Sequence, residues 1–161
     1  MKTKLIVALL VVLFVTNCFA EVQFNQFKDD FDDSITNCLS MSSTDGQRTL
    51  VITYTPTTDE LFVIVLMDKF IGMPLQLINV RHRFDKQEPY NENWLISQTK
   101  ENMQLGGKQK GEFRSQAEKF VAGCLRYNQV VMSVDSGLLG TTNCKFNLAG
   151  FSKQYAKLGC K

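Results

Sequence analysis

The stretch TLVITYTPTTDELFVIVLM, residues 49–67, decides the fold that we predict for this chain. Its first part, TLVITYT, is rich in β-branched residues, which favour strands, and Pro56 ends the run. The residues TTDE then form a turn, and LFVIVLM is a continuous apolar run of strand length. The pattern predicts a β-hairpin whose second strand is buried on both faces.

Further strands are predicted after this hairpin. In LQLINVRHRFD, alternation places Arg81 and Arg83 on one face of a strand and His82 and Phe84 on the other. WLIS, which begins with Trp94, starts another short strand after a turn. The strands predicted in this part of the chain are residues 75–85, 94–97, 129–135 and 142–150.

Three segments have the apolar spacing of a helix. Residues 24–41 carry apolar side chains three and four residues apart, with aspartates on the opposite face. The apolar face of this N-terminal helix would consist of Phe24, Phe27, Phe31, Ile35 and Cys38. Residues 112–126 predict a long helix, and residues 151–159 predict a short C-terminal helix. The residues predicted to face inward are Phe113, Ala117, Phe120, Val121, Cys124 and Leu125 in the long helix and Phe151, Tyr155 and Leu158 in the C-terminal helix.

The order of these elements predicts the fold class. Sheet-forming runs joined by short turns dominate, and one long helix is inserted between them. We therefore predict an α+β fold, in which an antiparallel, sandwich-like sheet is combined with an N-terminal, a long inserted and a C-terminal helix. LGGKQKG, residues 105–111, lacks the ending of a phosphate-binding loop, and we interpret it as a flexible connection.

The first residues, MKTKLIVALLVVLFVTNCFA, predict a secretory signal peptide over residues 1–20. A basic start is followed by an apolar run that is too short to span a bilayer. We place cleavage after Ala20, which leaves residues 21–161 as a single periplasmic or secreted domain. Lipoprotein processing at Cys18 is the less favoured alternative, because Asn17 stands where that peptidase prefers a small residue.

The charge of the chain argues against one class of partner. The formal net charge of +2 equals the contribution of Lys2 and Lys4 in the signal peptide, so the rest of the chain is neutral. A neutral domain has no global field that attracts nucleic acid or an anionic membrane surface. No later stretch is apolar enough to span a bilayer, so we do not expect a membrane-spanning protein.

Four cysteines follow the signal peptide, and an even number in an exported chain predicts two disulfides. Among the possible connectivities we favour Cys38 with Cys160 and Cys124 with Cys144. The first would staple the two terminal helices together, and the second would stabilise by about 3 kcal/mol. With a single histidine and no C-x-x-C, we predict neither a metal site nor a cofactor.

The search for catalytic chemistry gives no positive case for an enzyme. His82 is the only histidine, and it shares its strand face with apolar residues, as a packed side chain does. The chain contains neither G-x-S-x-G nor H-E-x-x-H. Acids occur near strand ends, but their spacing makes no pair, and we predict a non-enzymatic protein.

Arg81 and Arg83 are the strongest candidates for a binding site. Two residues apart on one strand, their side chains lie about 7 Å apart, a spacing suited to carboxylate or phosphate groups. The structural interpretation, which the neutral overall charge favours, pairs them with Asp85 or with the aspartates of the first helix. We expect Asp85 to orient Arg83, and Trp94 to face the core. The candidate binding residues are Arg81, Arg83, Asp85 and Trp94.

The order of several motifs resembles that of the VasI/TagO-type accessory proteins of bacterial type VI secretion. A V-x-x-R-x-D pattern, here Val80, Arg83 and Asp85, precedes W-x-x-S, here Trp94 and Ser97. FNLAGFSKQYAKLGC then leads from a strand into a last helix with a late cysteine. The resemblance implies a non-enzymatic periplasmic domain that contacts an envelope protein or a cell-wall component. Such domains also occur outside secretion systems, in phage-borne or orphan envelope proteins, and this alternative stays open.

A second class of function fits the same composition, namely a small exported inhibitor of a hydrolase such as lysozyme. Such an inhibitor presents a rigid exposed loop with a dominant contact residue, and DKQEPYNEN, residues 85–93, is the candidate loop. The two classes share a β-rich fold, and a fold by itself does not determine which function it carries.

Overall fold

The computed structural model of the protein describes residues 21–30, 33–69, 71–107, 111–137 and 140–160. Within these residues the chain forms nine strands, two helices and a 3₁₀ turn. The strands are β1 (Gln23–Lys28), β2 (Ile35–Ser42), β3 (Thr49–Thr55), β4 (Glu60–Leu66), β5 (Leu77–Phe84), β6 (Tyr90–Ile96), β7 (Asn102–Gly107), β8 (Gln129–Ser136) and β9 (Gly140–Asn147). The helices are α1 (Glu112–Arg126) and α2 (Phe151–Tyr155), and the 3₁₀ turn is Ala156–Leu158.

The strands form one antiparallel sheet in the order β1-β2-β3-β4-β7-β6-β5-β8-β9. The sheet curls into a half-barrel, and its two ends approach each other at a β-bridge between Ser43 and Phe146. Beside this bridge, the backbone N–H of Thr44 donates to the carbonyl of Lys145 at 2.8 Å. The antiparallel sheet is therefore confirmed. The sandwich-like arrangement is wrong, because a single sheet curls around its own core.

The core lies between α1 and one face of the sheet, which we call the inner face; the opposite one is the outer face. Buried inner side chains include Val63 of β4, Val80 of β5 and Met132 of β8, and α1 contributes Ala117 and Phe120. Burying a large apolar side chain of this kind stabilises the fold by about 1.5–3 kcal/mol. The amphipathic helix is thus held mainly by its apolar contacts with the sheet.

The hairpin predicted over residues 49–67 is confirmed as β3 and β4, with Ile52 opposite Val63. Its second strand is not buried equally on both faces. Inner residues such as Val63 are fully buried, whereas the outer Phe62 and Ile64 are only half-buried. The reason is that α1 packs against the inner face.

The long helix is confirmed at its predicted bounds, but its buried face differs from the prediction. Phe113 and Leu125 are exposed, at 38% and 39% of their surface, while Arg114 is buried. Nη1 of Arg114 donates to the backbone carbonyl of Asp59 at 2.7 Å, and Nε donates to Glu118 at 2.8 Å. These bonds and the Asp59 carboxylate, 3.4 Å from Nη2, compensate for burying the charge.

The predicted N-terminal helix is wrong, because the chain forms the β1–β2 hairpin there. Asp29, Asp30 and Asp33 lie in its turn, where the N–H of Asp29 donates to the carbonyl of Ser34 at 2.8 Å. Asp33 has a φ of 56°, in the left-handed region where aspartate is among the tolerated residues. The apolar spacing imitates a helix, but pairing with β3 satisfies the backbone of β2. Phe31 and Asp32 lie outside the described residues.

Gly106 and Gly107 of LGGKQKG belong to a strand, β7, so the flexible connection predicted there is wrong in this part. Gly106 has a φ of 127° and pairs with Phe62 of β4. A Cβ atom at Gly106 would overlap the carbonyl oxygen of Leu61, so only glycine allows this approach. Residues 108–110 of the segment lie outside the described residues.

The C-terminal segment folds largely as predicted, as α2 and the following 3₁₀ turn. Phe151 and Leu158 are buried and Tyr155 is half-buried, so the predicted inward residues face the core. The side chain of Asn37 in β2 donates to the carbonyl of Leu158 at 2.8 Å. This bond attaches the C-terminal turn to the inner face of the sheet.

The predicted disulfides are wrong, because the four cysteines of the described residues are free thiols with no pair at bonding distance. Asn37 binds the C-terminal turn on the inner face, so Cys38, the next residue of the strand, faces the opposite way. Cys160, by contrast, contacts Tyr155 at the C-terminal end. The two thiols predicted to pair therefore lie on different sides of the sheet.

Cys124 and Cys144, the second pair predicted to form a disulfide, lie in different surroundings. Cys124 faces the core from α1, whereas Cys144 lies on β9 near the charges of Asp45 and Arg48. Burial raises the pKa of Cys38 and of Cys144 to about 12, and it also raises the pKa of Cys124. Such thiols are almost entirely protonated at neutral pH and react slowly.

We expect the protein without residues 1–20 to carry four reduced thiols, those of Cys38, Cys124, Cys144 and Cys160. Unfolded in denaturant without a reductant, it should take up one alkylating group at each of these cysteines. In the native state, the half-exposed Cys160 should react before the three buried thiols. Intact-mass measurement of both samples checks this. Under denaturing conditions, uptake of fewer groups would show that disulfides do form.

Candidate functional site

The β5–β6 hairpin presents candidate functional residues on both faces of the sheet. Side chains alternate along β5, so that His82 points inward while Arg81 and Arg83 point outward. In the register of the hairpin, His82 lies opposite Tyr90, and Val80 lies opposite Glu92. The outer face and the inner face of this hairpin therefore form two separate candidate sites.

The outer site is centred on Arg81 and Arg83, both of which are exposed as alternation predicts. Arg81 lies between Asn91 of β6 and Ser133 of β8, which are uncharged neighbours. Within the part of the chain that the structure describes, neither arginine forms an ion pair. The structural interpretation, in which nearby acids neutralise them, therefore finds no support among these residues.

Asp85 has a different role from the one expected of it. Its carboxylate accepts the backbone N–H groups of Asn128 at 3.3 Å and Gln129 at 3.1 Å. Asp85 directly follows the last residue of β5 and has a φ of 47°. Its own backbone N–H donates to the carbonyl of Gln129. Asp85 thus joins the end of β5 to the start of β8, and it does not form an ion pair with Arg83.

Trp94 is fully buried, as expected for a core-facing residue at this point of the strand. Its ring meets the edge of Phe120 from α1, with ring centroids 5.6 Å apart. Trp94 therefore has no surface to offer a partner on the exterior of the protein. Its indole N–H, however, lies close to Glu92, at the base of a cleft in the inner face.

The inner site is a cleft of about 290 Å³ between the β5–β6 hairpin and α1. Its lining combines a polar floor, aromatic walls and two cations, all from segments that are far apart in the sequence. The lining residues are His82, Phe84, Gln87, Tyr90, Glu92, Lys119, Phe120, Ala122, Gly123, Arg126 and Tyr127.

The floor of the cleft holds two buried titratable groups. His82 Nδ1 lies 3.7 Å from Glu92 Oε2, which is too long for a hydrogen bond. These two atoms and the indole nitrogen of Trp94 are buried, and none has a hydrogen-bond partner among the described protein groups. His82 and Glu92 therefore bring unused hydrogen-bonding capacity to the lining of the cleft, and the Trp94 indole lies beside Glu92 without lining it.

Burial shifts the protonation of both groups in the floor. It lowers the pKa of His82 to about 4, so the imidazole is neutral at physiological pH. Burial raises the pKa of Glu92, and the nearby Trp94 indole and the positive charge of Lys119 oppose this rise. Both shifts have the same main cause, which is the loss of solvent around a charged form.

Aromatic rings form the walls of the cleft. Tyr90, of which 58% is exposed, stacks on His82 with ring centroids 5.6 Å apart. Tyr127 stacks in a similar way on Phe84. A side chain at position 123 would overlap the Phe84 ring, so Gly123 lets α1 approach the hairpin closely.

The cleft can bind a ligand through hydrogen bonds, aromatic rings and positive charge. Its lining contains no serine, threonine or cysteine within reach of His82. The described residues also contain no group of histidines, cysteines and acids that would hold a metal ion.

Among the helices described, none is both long and apolar enough to cross a membrane.

Sequence reasoning identified His82 as packed but missed the cleft around it. Glu92 stood in a segment interpreted as a loop, and Lys119 and Arg126 stood on the polar face of a helix. The available signal was the extension of alternation into β6, where Tyr90, Glu92 and Trp94 share one face. No family model, curated protein or solved structure matches this chain. The assignment of the two candidate sites is therefore based on their geometry alone.

Proposed function

We propose that the protein is an exported, non-enzymatic binding domain of the cell envelope. Its outer site recognises an acidic group on a protein or cell-wall partner. The observation that carries this proposal is the contrast between its arginines. Arg48 contacts Asp45 and Asp68, and Arg114 is similarly bound by acids, whereas Arg81 and Arg83 have no acidic partner among the described residues.

The geometry of the outer site suits a carboxylate-bearing surface. Two guanidinium groups on one strand, about 7 Å apart, present several donors in a flat array. Asparagine side chains on the same face of β6, those of Asn91 and Asn93, are exposed beside them and add polar groups without opposing charge. Such a surface discriminates by charge, and its affinity falls as salt concentration rises.

The export and accessory role in this proposal rest on the sequence. The signal peptide of residues 1–20 lies outside the described residues, and it supports a periplasmic or secreted location. The resemblance to VasI/TagO-type proteins supports an accessory role in type VI secretion, with Arg83 as the matching exposed residue. The packed His82, with no serine, threonine or cysteine in the lining of its cleft, supports a non-enzymatic function.

The alternative function, inhibition of a hydrolase such as lysozyme, has less support. The predicted inhibitory loop, residues 85–93, is shorter in the structure, because residues 90–93 belong to β6. Tyr90 at its end is exposed, but it stacks on His82 and forms part of the cleft. This leaves a short turn between β5 and β6 in place of a long inhibitory loop.

We expect the double variant Arg81→Ala/Arg83→Ala to lose its envelope partner while it keeps its thermal midpoint. Exposed strand residues without partners contribute little to stability, within about 0.5 kcal/mol. The test compares cross-linked partner recovered with the exported wild type, with the double variant and with Lys153→Ala, an exposed cation on α2. Recovery should fall at least about tenfold, equivalent to about 1.4 kcal/mol, in the double variant alone. Equal recovery with all three proteins would reject the outer site.

A further inference from the structure

The inner cleft offers three chemically different groups of side chains that the outer site does not use. The floor contains His82 and Glu92, the walls contain the exposed Tyr90 and the partly buried Tyr127, and α1 supplies the positive charge of Lys119 and Arg126. A ligand for this cleft must match all three groups at once. The combination therefore restricts the ligand more than any one group does.

The floor calls for hydroxyl groups. His82 and Glu92 line the cleft, and His82 Nδ1 and Glu92 Oε2 are buried without hydrogen-bond partners in the described protein, which is unfavourable for a polar atom. A hydroxyl both donates and accepts, so neighbouring hydroxyls can serve a carboxyl oxygen and an imidazole. A purely apolar or aromatic group in this place would leave both atoms unpaired.

The walls call for a ring with an apolar face. Tyr90 and Tyr127 come from different elements and each is braced by a second ring, His82 and Phe84 respectively. Aromatic side chains fixed in this way offer rigid, amphipathic surfaces at a small entropic cost. The C–H face of a pyranose packs on such a ring while its hydroxyls remain free for the floor.

The two cationic side chains of α1 favour a ligand with an acidic substituent. Lys119 and Arg126 lie seven residues apart on α1, about two turns, and therefore point to the same side of the helix. Both line the cleft, where they favour a carboxylate through charge-assisted hydrogen bonds. The volume of about 290 Å³ lies at the lower end of the range for ligand pockets, which fits one ring rather than a long chain.

We propose that this cleft binds a single pyranose ring that carries a carboxylate, as glucuronic acid does. The hydroxyls bind the His82–Glu92 floor, the ring packs against tyrosine, and the carboxylate meets Lys119 and Arg126. This proposal does not depend on the partner of the outer site, which lies on the opposite face of the sheet. The two proposals can therefore fail separately.

The test is a titration of the purified protein with glucuronic acid, glucose and acetate. Trp94 is the only tryptophan and lies beside Glu92, so its fluorescence reports occupation of the floor, and calorimetry provides a second readout. We expect saturable binding of glucuronic acid, at least about tenfold weaker binding of glucose, and no saturation by acetate below about 10 mM. Acetate binding as tight as that of glucuronic acid would overturn the proposal, since the cleft would then be a simple anion site.

Variants identify which residues provide this selectivity. The double variant Lys119→Ala/Arg126→Ala should bind glucuronic acid about tenfold more weakly and should no longer distinguish it from glucose. Glu92→Gln should weaken both sugars, and Lys153→Ala, remote from the cleft, should change neither. Circular dichroism establishes that each variant is folded. Undiminished selectivity in the double variant, or no binding of glucuronic acid to the wild type, would reject the assignment.

Discussion

Replacing Trp94 with alanine is expected to lower the free energy of unfolding by about 3–5 kcal/mol. The indole is fully buried and packs edge-on against Phe120 of α1. Its loss would leave a cavity between the sheet and the helix, which the rigid strands cannot close. Urea denaturation followed by circular dichroism measures the change, because the variant has no tryptophan fluorescence.

The matched control for this variant is Tyr90→Ala. Tyr90 is an aromatic residue on the same face of the same strand, but more than half of its surface is exposed. We expect this control to destabilise by about 1 kcal/mol, as the average point substitution does. A loss below 1 kcal/mol for Trp94→Ala would show that the helix does not pack on β6 as described.

Acid is expected to destabilise the protein through His82. Its folded pKa of about 4 is lower than the ordinary value of 6.5, so the unfolded chain binds the proton more tightly than the folded protein. Above pH 6.5 the group has no effect. As the pH falls from 6.5 to about 4, the free energy of unfolding decreases, in total by roughly 3 kcal/mol. Below this range the loss is constant.

Comparison with His82→Phe isolates this contribution. Burial raises the pKa of Glu92, so its protonation favours the folded state in acid and partly opposes the effect of His82. Both proteins retain Glu92, so the difference between their stabilities as a function of pH reports mainly on His82. Urea unfolding of both proteins at several values between about pH 7 and about pH 4 measures it. Parallel curves for wild type and variant would contradict the proposed burial of a neutral imidazole.

Local patterns in the sequence predicted the elements whose partners lie nearby in the chain. The β3–β4 hairpin and α1 follow directly from an apolar strand pair with a turn and from a helical repeat. Alternation in β5 correctly separated Arg81 from His82. In these segments the local propensity agrees with the final packing. The sequence pattern was therefore sufficient to predict their structure.

The errors occurred where long-range pairing decided the structure. Phe24 and Phe27 have helical spacing, but β1 and β2 gain their hydrogen bonds from each other and from β3. The glycines of β7 suggested a loop, because nothing in the sequence reveals that Gly106 lies against β4. The disulfide prediction relied on the number of cysteines, which carries no information about the sheet face of Cys38.

The cleft was beyond sequence reasoning for a related reason. Glu92 and Lys119 are distant in the chain, and they meet only because α1 crosses the inner face beside β6. The close approach at Gly123 depends on the ring of Phe84, which belongs to another element. A single sequence contains the residues of such a site but no measure of their proximity.

The bridge between Ser43 and Phe146 also determines how the sheet exchanges its amide protons. The N–H of Thr44 donates across this junction to the carbonyl of Lys145. Among the described residues, only the single bridge and this hydrogen bond pair the backbones at the junction. The amides of β4, which lies between β3 and β7, are bonded within the middle of the sheet. Local opening therefore releases Thr44 long before β4 exchanges with solvent. Each such opening uncovers the edge of β9, where an added strand from another chain would find unpaired backbone groups.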